Sequence, residues 1–150
     1  MGAARRGANQ IYRVLIALFF IACLVQIFLA GRGVFGIRSS TAYHKPGEFF
    51  DHQHSLTPHR ALGFILGFAA ILMLLLTLIA WNKAILPWTL ALALLAFLVQ
   101  SITAIPSHPW IAAFHPLAGI TILAISGWLA HNAWRRKTAP DPRRDTHLNR

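Results

Sequence analysis

Residues 59–81 read HRALGFILGFAAILMLLLTLIAW, and from Ala61 to Trp81 the run carries no charged side chain. A run of this length can cross the ~30 Å hydrocarbon core of a bilayer, which takes about 20 apolar residues as a helix. Three further uncharged runs reach or approach that length, at 14–30, 84–105 and 110–130. The sequence therefore predicts an all-α membrane protein, a four-transmembrane-helix bundle with helices at about 11–30, 58–81, 84–105 and 110–134.

Composition supports a membrane protein without a separate soluble domain. Of the 150 residues, 56% are hydrophobic and only 12% are charged, which is too apolar for an ordinary soluble domain. The first run resembles the start of a signal peptide, but the bulky Phe28 stands three positions before a cut after Ala30, where a small residue is required. We therefore predict that the first helix is retained. The single Cys23 excludes an intramolecular disulfide.

The net charge of +10 predicts topology. If the chain crosses four times, most basic residues fall on the side of the two termini, which the positive-inside rule assigns to the cytoplasm. This predicts an integral protein of the cell membrane with a basic N-terminus at 1–10, an outer loop at 31–57 and a disordered basic tail at 135–150. The bilayer, including anionic lipid, is the expected partner. Nucleic acid is not, because the tail is short and interrupted by Asp141 and Asp145.

An internal repeat relates the two halves of the chain. ALFFIACLVQIFLA at 17–30 and ALALLAFLVQSITA at 91–104 are identical at half of their aligned positions and share a glutamine at matching depth. The second and fourth helices open with HRALG and HPLAG, so both carry the spacing His-x-x-x-Gly. Two tandem helical hairpins are predicted, related by a pseudo-twofold axis along the membrane normal.

The repeat places His59 and His115 at equal depth on opposite helices of the bundle. If both face the interior, they form a pair of axial ligands for a haem iron. Gly63 and Gly119 lie one turn further along the same helix faces, where small residues would leave room for the macrocycle. Arg60 adjoins the site and would attract the haem propionates. For single residues, helix packing by glycine, a hydrated boundary histidine and a snorkelling arginine remain alternatives.

Other polar residues receive structural interpretations. Pro116 disfavours helical geometry at His115 and predicts a kink or cap there. His131 has Leu75 as its pseudo-symmetric counterpart, so a second haem is not expected and His131 is interpreted as interfacial. Gln26 and Gln100 are expected to hydrogen-bond each other, backbone or a bound group, with interhelical adhesion favoured.

The HRALGFILG context and the paired histidines resemble one four-helix half of heme A synthase and, more loosely, diheme b-type membrane cytochromes. The resemblance implies that His59 and His115 are axial ligands of a b-type haem. This chain departs from heme A synthase in having one unit, no loop cysteine and only Glu48 or Asp51 as a nearby carboxylate. It lacks the inner ligand pair of diheme cytochromes. The whole chain also resembles a class of small bacterial four-helix membrane proteins without an assigned function.

Three hypotheses for function follow. The first is a b-type cytochrome with one haem b near the outer face, which passes electrons to a redox partner protein or quinone, or senses redox state. The second is a divalent-metal site in the outer loop, formed by Asp51, His52 and His54 with His44 or His108. The third is a cofactor-free accessory bundle. Catalysis has little support, because no nucleophile triad, phosphate loop or embedded carboxylate pair is present.

Overall fold

The structure, a computed structural model of the protein, describes residues 2–42, 56–104 and 109–135. These residues form helices and no strand. The helices are α1 (Gly2–Ala42), α2 (Thr57–Ala80), α3 (Leu86–Thr103), α4 (Pro109–Ala112) and α5 (Phe114–Arg135). Four segments are long and apolar enough to cross a membrane, namely Gly2–Gly36, Thr57–Ala80, Leu86–Thr103 and Trp110–Arg135. The prediction of an all-α chain with four such spans is confirmed.

The four long helices pack in a ring. Helix α1 packs against α2 and α5, and α3 also packs against α2 and α5. Helices α2 and α5 are therefore diagonal neighbours. Hydrogen bonds between Gln26 and His59 and between Gln100 and His115 mark one end of the bundle, here called the histidine end. At the opposite end, here called the basic end, the start of α1, the turn from Trp81 to Ile85 and the end of α5 meet.

The core contains one fully buried large apolar side chain from each long helix: Ile16, Met73, Leu92 and Leu129. Many leucine, isoleucine and phenylalanine side chains are exposed and form the outer surface of the ring, including Phe28 and Phe64. An apolar outer surface of this kind is compatible with contact to lipid.

The first helix is longer than predicted at both ends. It covers Gly2–Ala42, whereas the sequence predicted a helix at 11–30 between a basic N-terminus at 1–10 and an outer loop beginning at 31. The prediction followed hydropathy, which limits the membrane span but does not end a helix. Alanine, arginine and glutamine on the N-terminal side are good helix formers, and no proline precedes Pro46. The remainder of the outer loop, 43–55, and the tail, 136–150, lie outside the described residues.

Two irregularities shape the histidine end. Residues Leu94–Val99 of α3 form a π-helical segment between regular α-helical turns. The fourth span is interrupted at Ala113, between α4 and α5. The interruption lies where Pro116 requires it, because the proline ring lacks an N–H and would collide with the carbonyl of Ala112 in a continuous helix. His115 consequently belongs to the first turn of α5.

Candidate functional site

The side chains of His59 and His115 meet at the histidine end. Their ring centres are 6.1 Å apart and their planes are inclined at 67°. Both residues are half-buried, one on α2 and the other on α5. The two helices are diagonal neighbours in the ring, so the pair lies across the interior of the bundle. The sequence did not determine which way the His115 side chain points, because a proline follows it. In the structure it points toward His59.

The hydrogen bonds of His115 define its tautomer. Thr103 Oγ1 donates its hydrogen to the carbonyl of Val99 at 2.8 Å, so its oxygen accepts from His115 Nδ1 at 3.2 Å. Nε2 therefore carries a lone pair, which accepts a hydrogen bond from Gln100 Nε2 at 3.2 Å. The imidazole is neutral in this arrangement, with Nδ1 as donor and Nε2 as acceptor.

His59 also donates through Nδ1, but to a different kind of partner. Its Nδ1 lies 3.3 Å from the backbone carbonyl of Gln26, which can only accept, so Nδ1 carries the hydrogen. Gln26 in turn donates through Nε2 to the backbone carbonyl of His59 at 2.8 Å. This reciprocal pair connects α1 to the first turn of α2.

The two glutamines leave matching polar atoms without partners. Oε1 of Gln26 and Oε1 of Gln100 are both buried and accept no hydrogen bond within the described part of the chain. A buried acceptor without a donor costs about 1–3 kcal/mol. Two such atoms at equivalent positions beside the histidines indicate a site with unused capacity for hydrogen bonds.

The glycines of the His-x-x-x-Gly spacing adjoin these glutamines. A Cβ atom on Gly63 would lie 3.2 Å from Gln26 Nε2, and one on Gly119 would lie 3.8 Å from Gln100 Nε2. In this structure the space above each glycine is therefore next to a glutamine amide. The sequence predicted that this space would accommodate a macrocycle, and the amide contact is a second physical reason for glycine at both positions.

One residue of the site was missed by sequence reasoning. Thr103 orients His115, and the signal that could have found it is its spacing of three residues from Gln100, which places both on one helix face. The π-helical segment immediately before Gln100 also contributes, because an extra residue in a turn rotates the following side chains about the helix axis. Such segments occur often at functional sites.

Of the remaining predicted site residues, Arg60 lies within the described ranges and the alternative loop ligands lie outside them. Arg60 follows His59 on α2 and is exposed, so its guanidinium is accessible at the histidine end. His131 is also exposed, near the far end of α5. Within the described residues, no group of three or more histidine, cysteine or acidic side chains is placed to hold a metal ion. The alternative loop ligands lie outside the described residues: Asp51, His52, His54, His44 and His108.

Comparisons with protein-family models, with curated proteins and with solved structures found no match to this chain.

Proposed function

We propose that this chain is a b-type membrane cytochrome that binds one haem b through His59 and His115, for electron transfer or redox sensing. The observation that carries the proposal is the facing pair of imidazoles with ring centres 6.1 Å apart. Histidine binds zinc with a metal–nitrogen bond of about 2.0–2.1 Å, and two imidazoles that flank one metal ion at a similar distance would have ring centres roughly 6 Å apart. Axial rings can rotate about the metal–nitrogen bond, so inclined planes are compatible with this arrangement.

The hydrogen bonds support ligation through Nε2. Metal-bound histidines usually donate their other N–H to a carbonyl or similar acceptor, which fixes the tautomer and raises the basicity of the ligand. His59 Nδ1 faces the Gln26 carbonyl and His115 Nδ1 faces Thr103 Oγ1. Ligation at His115 requires the Gln100 amide to move from Nε2, because one lone pair cannot serve both.

Ligand number favours haem over a bare metal ion. Zinc sites use three or four protein ligands, whereas the described histidine end offers two imidazoles. A porphyrin supplies the equatorial nitrogens itself, so two axial histidines complete the coordination. Haem b would supply a one-electron iron couple, and with both axial positions filled by protein, electron transfer is favoured over substrate chemistry at iron. Arg60 follows His59 and is exposed, so its guanidinium would be available to a haem propionate.

The contacts of the two glutamines support a pseudo-twofold relation between two helical hairpins. Each glutamine contacts the histidine of the other helix in its hairpin, and a methyl group on the glycine one turn later would approach the same amide. By the positive-inside rule, the basic end lies in the cytoplasm and the histidine end at the outer face of the cell membrane. A redox protein or quinone would then exchange electrons near that face.

Absorption spectra of detergent-purified protein, produced with ample haem, test the proposal. The wild type is expected to show a Soret band and sharp reduced α and β bands. His59→Ala and His115→Ala should lose the haem or convert it to a high-spin form. His131→Ala is the matched control, because His131 is exposed near the other end of α5, and its spectrum should equal that of the wild type. A colourless wild type would refute the proposal.

The two other hypotheses predict different results for the same preparations. For the cofactor-free bundle, His59→Ala would lower stability without removing a chromophore. For the loop metal site, zinc or copper would survive dialysis of the wild type and disappear from the double variant His52→Ala/His54→Ala. Metal analysis of the purified protein therefore accompanies the spectra.

A further inference from the structure

A small polar cavity lies at the basic end, remote from the histidine pair. It is bordered by α1, by the turn between α2 and α3, and by α5, it is partly open, and its volume is about 40 Å³. This volume is enough for at least one water molecule, and the open side leaves space for a larger polar group. Its polar side chains are Asn9, Tyr12, Arg13, Asn82 and Asn132. We call it the arginine cavity.

The inner wall of the arginine cavity belongs to the core. Tyr12 is only 3% exposed, and Leu129 behind it is fully buried. The hydroxyl of Thr89 donates to the carbonyl of Ile85 at 3.0 Å, so Thr89 Oγ1 accepts from the Tyr12 hydroxyl at 3.3 Å. The tyrosine hydrogen is thus already used, and Tyr12 serves mainly as a wall.

Hydrogen-bond donors remain on three sides of the cavity. Asn132 uses one Nδ2 hydrogen on the carbonyl of Trp128 at 2.8 Å and retains the second. Asn9 and Asn82 line the cavity from α1 and from the turn, and each carries a side-chain amide. Arg13 is a half-buried residue of the lining, and its guanidinium carries five N–H donors. A lining of amides and one cation suits an anion with several acceptor oxygens.

Arg13 has no counter-charge within the described residues. The four acidic residues of the chain are Glu48, Asp51, Asp141 and Asp145, and all of them lie outside the described ranges. Ionisable side chains in membrane-spanning segments usually face the bundle interior or a cavity, pair with another charge or with backbone carbonyls, and often mark binding sites. Its planar fork matches the geometry of phosphate oxygens, and such charge-assisted bonds are strong.

We propose that the arginine cavity binds a phosphate group through Arg13, supported by the amides of Asn9, Asn82 and Asn132. Two sources carry this group, namely the headgroup of an anionic phospholipid and free inorganic phosphate. The site lies between helices at the basic end, where a headgroup would enter from the adjacent leaflet and inorganic phosphate from the aqueous side. The proposal does not depend on haem binding.

Binding of two probes by purified protein in a phosphate-free maltoside detergent tests the proposal. Phosphatidylglycerol is titrated and followed by native mass spectrometry, and radiolabelled inorganic phosphate is followed by equilibrium dialysis. Arg13→Gln is expected to weaken binding at least about tenfold, which corresponds to the loss of hydrogen bonds to a charged group. Arg5→Gln removes the same charge from an exposed position of α1 and should bind like the wild type.

The pattern of outcomes identifies the source. Arginine-dependent binding of phosphatidylglycerol alone supports a lipid headgroup, and arginine-dependent binding of inorganic phosphate supports a soluble ligand. Asn82→Ala provides a second variant if Arg13→Gln does not fold, and it should weaken the same probe several-fold. The proposal is overturned if neither probe binds, or if wild type and Arg13→Gln bind equally. It is also overturned if only the variant Asp141→Asn/Asp145→Asn binds, because the tail would then be the natural counter-ion.

Discussion

Alanine substitutions at Gly63 and Gly119 are expected to have different effects although the two positions are equivalent in the repeat. A Cβ atom at position 63 would lie 3.2 Å from Gln26 Nε2, which is closer than an ordinary van der Waals contact. The corresponding distance from position 119 to Gln100 Nε2 is 3.8 Å, an ordinary contact. Gly63→Ala must therefore shift an amide that donates to the His59 carbonyl at 2.8 Å, whereas Gly119→Ala displaces nothing.

Two opposing contributions determine how each substitution changes the free energy of unfolding. Replacing glycine by alanine inside a helix stabilises it by about 0.5–1 kcal/mol. Losing the Gln26 hydrogen bond costs about 0.5–1.5 kcal/mol. Gly119→Ala should therefore raise the free energy of unfolding by about 0.5–1 kcal/mol. Gly63→Ala should leave the free energy of unfolding nearly unchanged or lower it. The free energy of unfolding of Gly63→Ala should thus lie about 1 kcal/mol below that of Gly119→Ala.

Unfolding in detergent by titration with a denaturing surfactant, followed by tryptophan fluorescence, measures this difference. Haem content of the same preparations is read from the Soret band. Equal stabilisation by both substitutions would refute the reasoning, because the close contact with Gln26 would then have no energetic consequence. Loss of haem from both variants would show that the glycines provide space for the macrocycle itself, as the sequence predicted, and not for the glutamine amides alone.

Two further substitutions test the site and the core. Thr103→Val removes the acceptor for His115 Nδ1, so the imidazole becomes a weaker ligand. The midpoint potential of bound haem, measured by redox titration, should therefore rise. Thr103→Ser keeps the hydroxyl and should restore the wild-type potential. Met73→Ala removes a fully buried side chain and should lower the free energy of unfolding by about 2–5 kcal/mol. Leu75→Ala, 51% exposed on the same helix, should change it by less than about 0.5 kcal/mol, and equal losses would contradict the assignment of the core.

The spans were predictable because the membrane imposes a length on apolar runs. The second helix was predicted at 58–81 and is observed at Thr57–Ala80. The ends of α1 were not predictable in the same way, because hydropathy does not determine how far a helix continues outside the bilayer. The π-helical segment Leu94–Val99 was not predicted either. Its residues are compatible with a regular α-helix, and its geometry depends on packing against the other helices.

The candidate site was predictable in its residues but not in its contacts. The repeat placed His59 and His115 at equal depth, and the structure brings their rings together. Which nitrogen of each ring carries the hydrogen depends on the rotamers of neighbouring side chains and on the carbonyl of Gln26, and neither can be inferred from spacing. The same is true of the unpartnered Oε1 atoms, which become visible only when every donor has a position.

The two proposed sites lie at opposite ends of the bundle, and the core between them makes their tests independent. Fully buried side chains, including Ile16 and Leu92, lie along the helices between the histidine pair and the arginine cavity. Substitutions at distant sites without shared partners usually have additive effects. His59→Ala should therefore leave phosphate binding unchanged, and Arg13→Gln should leave the haem spectrum unchanged. A variant that abolishes both would indicate loss of the folded bundle, so each negative result can be assigned to its own site.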